Sequence, residues 1–354
     1  MLRSLKLLFL RMANAMGVSS LLMNTPWRRN RLLILCYHGI STNDEHLWNP
    51  DLYMPPDLLR KRLLALQERR CNVLPLGEAL ERLYAGTLPP RAVTITFDDG
   101  MHDFHQAAYP LLREFGYPAT VYLTTYYSDF NRPVFDVMCS YLLWKGRGRR
   151  LEWPDVTGEA ITLDDAGRGA ADRSIKAFVR RQNLSGRQKD ELLATLASKL
   201  AIDYEALCAK RILHVMTPEE AAEMARQGVA IELHTHRHRV STDREKFERE
   251  IIDNRTRIAA VSRGEARHFC YPGGFHLPEF PGWLRGLNVT SATTCQPGIA
   301  SRGSDPMLLS RLVDTSGLTE LEFYSWLSGL ASLLPHRPHV MSEGQLMEEP
   351  VDAG

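Results

Sequence analysis

The sequence predicts an α/β protein built on a parallel sheet, either open or closed into a barrel. Three observations carry this. Apolar strand-like runs alternate with helical patterns along most of the chain. Polar words stand where those runs end: His38-Gly39, Asp98-Asp99-Gly100, His234 and Pro272-Gly273. In parallel α/β folds the chemistry gathers at the C-terminal ends of strands, so the coincidence marks a candidate site. Finally, 354 residues with 44% hydrophobic content suffice for one large α/β domain with additions, or for two modest domains.

Taken in order, residues 1–30 form a basic amphipathic segment. Leu5, Leu8, Phe9 and Met12 share one helical face, and Arg28, Arg29 and Arg31 follow. Two readings stand side by side: a helix packed on the domain, or one resting on an anionic membrane surface. Arg3, Lys6, Arg11 and Asn14 interrupt the apolar run, so neither a membrane span nor a signal peptide is expected. That places the chain in the cytoplasm or peripherally at the inner face of a membrane.

The main domain is expected over 31–334. Leu32–Tyr37 reads as a buried strand, and a helix over 56–69 turns Leu58, Leu59, Leu63, Leu64 and Leu66 inward. Val93–Phe97 is a strand, 107–115 a helix and Ala119–Leu123 a strand. Residues of about 129–211 change character, rich in charge and helix formers, and read as a mostly helical insertion with a loop at Lys145–Arg150. Alternation resumes with a strand at 229–233, a charged helix at 244–260 and a strand at 268–271. A short helix near Trp283, a strand at 289–294 and an amphipathic helix at 318–334 complete the domain. Residues 335–354 form a loose tail holding His336 and His339.

A net charge of +1 argues against a nucleic-acid partner, and no P-loop or complete dinucleotide fingerprint is present. The six cysteines lack paired spacing, and Cys36, Cys270 and Cys295 lie in or beside apolar runs, where a thiol acts as a small hydrophobe. His234 and His238 stand at i, i+4 directly after a strand, in a word without the glutamate of the metalloprotease signature. A carboxylate pair at Asp98-Asp99 can cap a helix or serve a metal site. Together they suit a transition metal with a spare carboxylate beside it, the equipment for hydrolysis by metal-activated water.

Thr96-Phe97-Asp98-Asp99-Gly100 and His234-Thr235-x-x-His238 resemble the first two motifs of the NodB-like polysaccharide deacetylase family. Cys36-Tyr37-His38-Gly39 and Phe269-Cys270-Tyr271-Pro272-Gly273-Gly274 add to the likeness, in the family's order over most of 31–315. The resemblance implies a distorted (β/α) barrel that removes N-acetyl groups from amino sugars of a polysaccharide or its lipid-linked precursor. It implies Asp99, His234 and His238 as ligands of a divalent ion, Zn²⁺ ahead of Co²⁺, Ni²⁺ or Mn²⁺. Asp98 is the implied general base and the Gly273 N–H an oxyanion donor, with His38, Tyr271, Pro272 and Thr235 lining the pocket. The implied partner is an N-acetylated glycan or glycolipid.

The chain departs from the pattern at three places, one of them Gly273, which stands where a tyrosine is usual. Cys270 stands where an arginine supporting the base is usual, and Arg311 is the candidate to replace it, against a plain surface role. The late Leu-x-His word is missing, which leaves the catalytic acid unassigned; His276 follows the Pro-Gly-Gly loop. Competing readings are a catalytically impaired carbohydrate-binding relative, a deformylase of a lipid-linked amino sugar, and a non-haem iron oxygenase.

Overall fold

Seven parallel strands close on themselves. In chain order they are β1 (Arg31–Tyr37), β2 (Ala92–Phe97), β3 (Thr120–Leu123), β4 (Ala230–Leu233), β5 (His268–Cys270), β6 (Ser291–Pro297) and β7 (Leu309–Val313). Each pairs with the next, and β7 returns to β1 through Leu35 opposite Leu312 and Cys36 opposite Val313. The computed structural model describes residues 2–336; most of the tail expected at 335–354, with His339, lies outside them. The open-sheet alternative is thereby set aside in favour of a barrel, one strand short of the eight of the common (β/α) form.

Apolar runs make the barrel because a parallel strand is covered on both faces. Leu32, Leu33, Ile34, Leu35 and Cys36 are all fully buried. Outside lie helices Pro56–Glu68, Leu76–Ala85, Tyr109–Phe115, Pro218–Arg226, Arg244–Val261 and Glu320–Ser328. The third is entered through a π-turn at Phe104–Ala108, and the last is opened by a Thr319/Glu322 capping box. It ends at Ser328 rather than 334, because Gly329 adopts a left-handed conformation (φ +88°) and a 3₁₀ turn at Ala331–Leu333 follows. Leu64, expected to face inward, is exposed; one helical face cannot hold Leu59, Leu63, Leu66 and Leu64 together. The strand β7 and the helices Leu76–Ala85 and Pro218–Arg226 were not foreseen.

The N-terminal segment folds as helices Leu2–Ala15, Val18–Met23 and Pro26–Arg29. Leu10 and Ala13 pack with Leu330, Leu321 and Leu334, so the packed face is not the one carrying Leu5, Leu8, Phe9 and Met12. Arg28 is no surface charge either. It is fully buried, and its guanidinium donates to the carbonyls of Leu327, Arg31 and Ala92. Among the described residues no helix is long and apolar enough to cross a membrane.

Residues 126–217 form a separate compact unit, a few residues wider at each end than the insertion expected over 129–211. It holds helices Tyr126–Phe130, Phe135–Lys145, Asp165–Arg181, Gly186–Lys199 and Tyr204–Ala209, and a small ladder pairing Arg150–Leu151 with Ile161–Thr162. Local chemistry starts three of these helices: Asp164, Ser185 and Asp203 each accept a backbone N–H three residues on.

Candidate metal and catalytic site

Asp98 and Asp99 follow β2 directly, and His234 follows β4. Asp99, Thr235 and His238 all take left-handed conformations, at φ +69°, +64° and +56°, unusual for residues other than glycine. Gly100 is obligatory beside them: at φ +74° a Cβ would stand 2.3 Å from Leu123 Cδ1.

Asp99 Oδ1 lies 3.1 Å from His234 Nε2 and 3.2 Å from His238 Nε2. His234 Nδ1 lies 2.9 Å from the Cys270 carbonyl, which can only accept, so Nδ1 carries a proton there. Its Nε2 is left aimed at a carboxylate oxygen, an arrangement that needs a proton or a cation between them. One carboxylate oxygen and two imidazole nitrogens are donors that a borderline divalent ion accepts, with the His234–carbonyl bond fixing the ring. This donor set fits a metal, and Asp99, His234 and His238 are the residues that could hold one.

Beside this set, Asp98 is 2% exposed and bound in a fork. Arg311 Nη1 and Nη2 each donate at 2.7 Å to its two oxygens, while Arg311 Nε donates to the Thr294 carbonyl at 2.9 Å. Arg311 is fully buried, so the surface reading is excluded; β7 aims it into the barrel from across the closure. Burial pushes the Asp98 carboxyl up, but the Arg311 charge and its hydrogen bonds outweigh this and hold it well below the usual range. Cys270 Sγ sits 3.1 Å from Arg311 Nη2 and 3.3 Å from Asp98, with Cys36 Sγ at 3.5 Å from the same carboxylate. Burial pushes both thiols up, so they stay neutral weak donors rather than mere apolar filler. The buried guanidinium beside Asp98 thus comes from β7, with the small Cys270 side chain of β5 packed against it.

His38 is half-buried at the end of β1, its Nε2 3.8 Å from Asp98 Oδ2. Other expected pocket residues take different places. Tyr271 is fully buried, its ring centroid 5.1 Å from Phe269, 5.4 Å from His276 and 6.5 Å from Phe280, so it is wall rather than open lining. Thr235 is buried as well, and its Oγ1 accepts the Arg239 N–H at 3.0 Å, clasping the loop around His238. Pro272 is buried in the 3₁₀ turn Pro272–Gly274, where Gly273 has φ +57°.

Two residues were missed. Asn254, fully buried, accepts the His234 N–H at 2.9 Å and donates to the Leu123 carbonyl at 2.9 Å and to Thr125 Oγ1 at 3.1 Å. Glu250, one turn earlier, accepts from the Arg237 backbone and guanidinium, both at 2.7 Å. Both lie on the inner face of the Arg244–Val261 helix with Phe247, Ile251 and Ile258. The signal was available: two polar residues on apolar positions of an amphipathic helix. Asp103 is a third buried tie, its Oδ1 accepting the Ile40 N–H after His38. A further group, His102, His105 and Glu220, is accounted for by His–Glu pairs at 3.1 Å (His102–Glu220) and 3.2 Å (His105–Glu223) between neighbouring elements.

A family model described as polysaccharide deacetylase matches residues 85–145 and 184–290, which include Asp98, Asp99, His234 and His238. The poly-β-1,6-N-acetyl-D-glucosamine N-deacetylase of Escherichia coli K12 is 30% identical over 101 residues, 28% of this chain and 15% of that protein. A putative polysaccharide deacetylase of Bacillus subtilis, YxkH, is 33% identical over 94 residues, 26% of this chain and 32% of its own. This chain thus spans less than a third of either curated relative. Among solved structures, Streptococcus pyogenes deacetylase PplD aligns with a TM-score of 0.55 at 18% identity, covering 86% of this chain and 99% of that one. IcaB from Ammonifex degensii gives 0.53 at 16%, covering 84% and 97%, a likeness of fold. With Asp98, Asp99, His234 and His238 inside the segments that the family model matches, the chain belongs to the polysaccharide deacetylase family.

Proposed function

We propose that this chain removes N-acetyl groups from the amino sugars of a polysaccharide or of its lipid-linked precursor. Asp99, His234 and His238 would hold a divalent ion, Zn²⁺ first among candidates. The carrying observation is the division of labour in one dipeptide: Asp99 meets both imidazoles at hydrogen-bond distance, while Asp98, within 4.8 Å of His234, spends both oxygens on the Arg311 fork. A bound ion would polarise the acetyl carbonyl and lower the pKa of water toward about 7.

The chain's own groups would do the rest. Asp98, ionised at neutral pH, takes a proton from the attacking water, and Arg311 keeps its oxygens aligned. The Gly273 N–H is the proposed donor to the oxyanion of the tetrahedral adduct. His38 then receives the proton from Asp98 and passes it to the amine as the C–N bond breaks, releasing acetate and a free amino sugar. The intact Asp98–Arg311 pair weighs against a binding-only relative, which has no need of a charged, oriented base.

The N-deacetylase activity of the E. coli relative on poly-β-1,6-N-acetyl-D-glucosamine supports β-1,6-linked N-acetylglucosamine as the first glycan to test. Acetate release from β-1,6-linked and β-1,4-linked oligomers should be followed with zinc-loaded wild type, Asp98→Asn and His38→Ala. Turnover by wild type, with Asp98→Asn lower by about 10²-fold or more, is expected. A folded, metal-loaded wild type that released acetate from neither glycan would refute the proposal.

A further inference from the structure

The helix Leu2–Ala15 is apolar on two faces, and the fold uses one. Leu10 and Ala13 are buried against Leu330 and its neighbours. Beside that packed face Leu5, Leu8, Phe9 and Met12, with Met16 just past the helix end, are spaced i, i+3, i+4, i+7 and i+11, one continuous stripe at helical period. They are 48–67% exposed, and Leu21 on the next helix reaches 71%. Among the described residues eleven large apolar side chains are exposed, and six of them lie in these first 21 positions. Scattered exposure of single residues needs no explanation, whereas such a concentration marks a docking surface.

Charge names what covers it. Residues 1–43 contain six Lys and Arg and no Asp or Glu, while the remainder of the chain is net negative. Arg28 is spent inside the fold, but Arg11 and Arg29 are exposed and Lys6 and Arg31 partly so. A second copy meeting this stripe face to face would oppose like charges with no acidic residue on the segment to pair them. An anionic lipid surface satisfies both halves, taking the stripe into its acyl boundary and the cations at its phosphates. At 14 residues the helix is about 21 Å long, too short to cross a bilayer of about 30 Å, so it lies in the plane of the surface.

We propose that the outer face of helix Leu2–Ala15, through Leu5, Leu8, Phe9, Met12 and Met16, docks this chain on anionic phospholipid membranes. None of Leu5, Leu8, Phe9, Met12 and Met16 is a residue of the candidate site, so docking and catalysis are probed by different substitutions. The inference therefore stands whether or not the proposed hydrolysis does.

The full chain should be co-sedimented with phosphatidylglycerol/phosphatidylethanolamine vesicles and with pure phosphatidylcholine vesicles. Wild type is expected to partition onto the anionic vesicles roughly tenfold or more better than onto the neutral ones, with added salt weakening the binding. Phe9→Gln/Met12→Gln should lower the partition coefficient about tenfold at little changed melting temperature, since Phe9 is 48% and Met12 56% exposed and neither belongs to the Leu10–Ala13–Leu330 cluster. Arg11→Glu should weaken anionic binding alone. Asp98→Asn should bind like wild type. Wild type left in the supernatant with anionic vesicles at low salt would overturn the proposal, as would undiminished binding of the double variant. So would a lipid-free dimer in sedimentation velocity that Phe9→Gln/Met12→Gln dissolved, which would assign the stripe to self-association.

Discussion

Asp98 keeps its charge out of water only because Arg311 supplies a two-pronged partner, and a lysine cannot reproduce that fork. Arg311→Lys should lower kcat about 10- to 100-fold while leaving metal content unchanged. With the fork weakened, the Asp98 carboxyl rises, so the acidic limb of the rate profile should move to higher pH; an unmoved limb would separate Arg311 from the base. Asn254 acts one step further out, holding the His234 backbone from the helix behind it. Asn254→Ala should weaken metal affinity about 10- to 100-fold, measured by chelator competition. Unchanged affinity would leave Asn254 a purely structural residue. At this scale the sequence was uneven: Asp98, Asp99, His234 and His238 are legible because each pair is local. Arg311 was legible only as a candidate, since its partner lies 213 positions away. The burial of Tyr271 was not legible, because a motif says which residue follows a strand, not which way its ring packs.

At the scale of elements, strands were readable where they were uniformly apolar and missed where function intrudes. The strand β7 is Leu-Ser-Arg-Leu-Val, and the arginine that breaks its pattern is the residue that reaches Asp98. The N-terminal helix misled for another reason: both of its faces are apolar, so periodicity alone could not choose the packed one. The junction of β4 and β5 offers a test of buried ionisation. His268 is pushed down to about 4, chiefly by burial and then by Arg267, so between about 4 and 6.5 the unfolded chain binds the extra proton and stability rises with pH. Glu232, which accepts the His268 N–H, is pushed up by burial to about 7. There the native state holds the proton, and its contribution is lost as pH rises from about 4.5 to 7. Melting temperature against pH should therefore turn more steeply upward in Glu232→Gln and downward in His268→Gln, relative to wild type. Parallel curves for all three proteins would refute both assignments.

Across the whole molecule, barrel closure gathers His38, Asp98, Asp99, His234, Cys270 and Arg311 from five strands to one mouth. Sequence alternation predicted six of the seven barrel strands but left open sheet and closed barrel equal, because the β7-to-β1 pairing joins residues more than 270 apart. A buried ion pair helps fasten the helical layer to that mouth: Arg62 Nε and Nη2 donate to Asp314 at 2.9 and 3.2 Å, and Nη2 to the Leu318 carbonyl. Arg62→Met alone should cost about 3–5 kcal/mol by stranding Asp314, and Arg62→Met/Asp314→Leu should recover much of it in urea unfolding. A double variant no better than the single would contradict that account of the pair. The reading of the barrel mouth as a metal-dependent hydrolase rests on two neighbouring aspartates having different jobs. Metal content of purified wild type should be measured beside Asp99→Ala, His238→Ala and Asp98→Asn. About one divalent ion in wild type, lost in the first two variants and kept in Asp98→Asn, is the expected result. Retention in Asp99→Ala, or loss in Asp98→Asn, would contradict it.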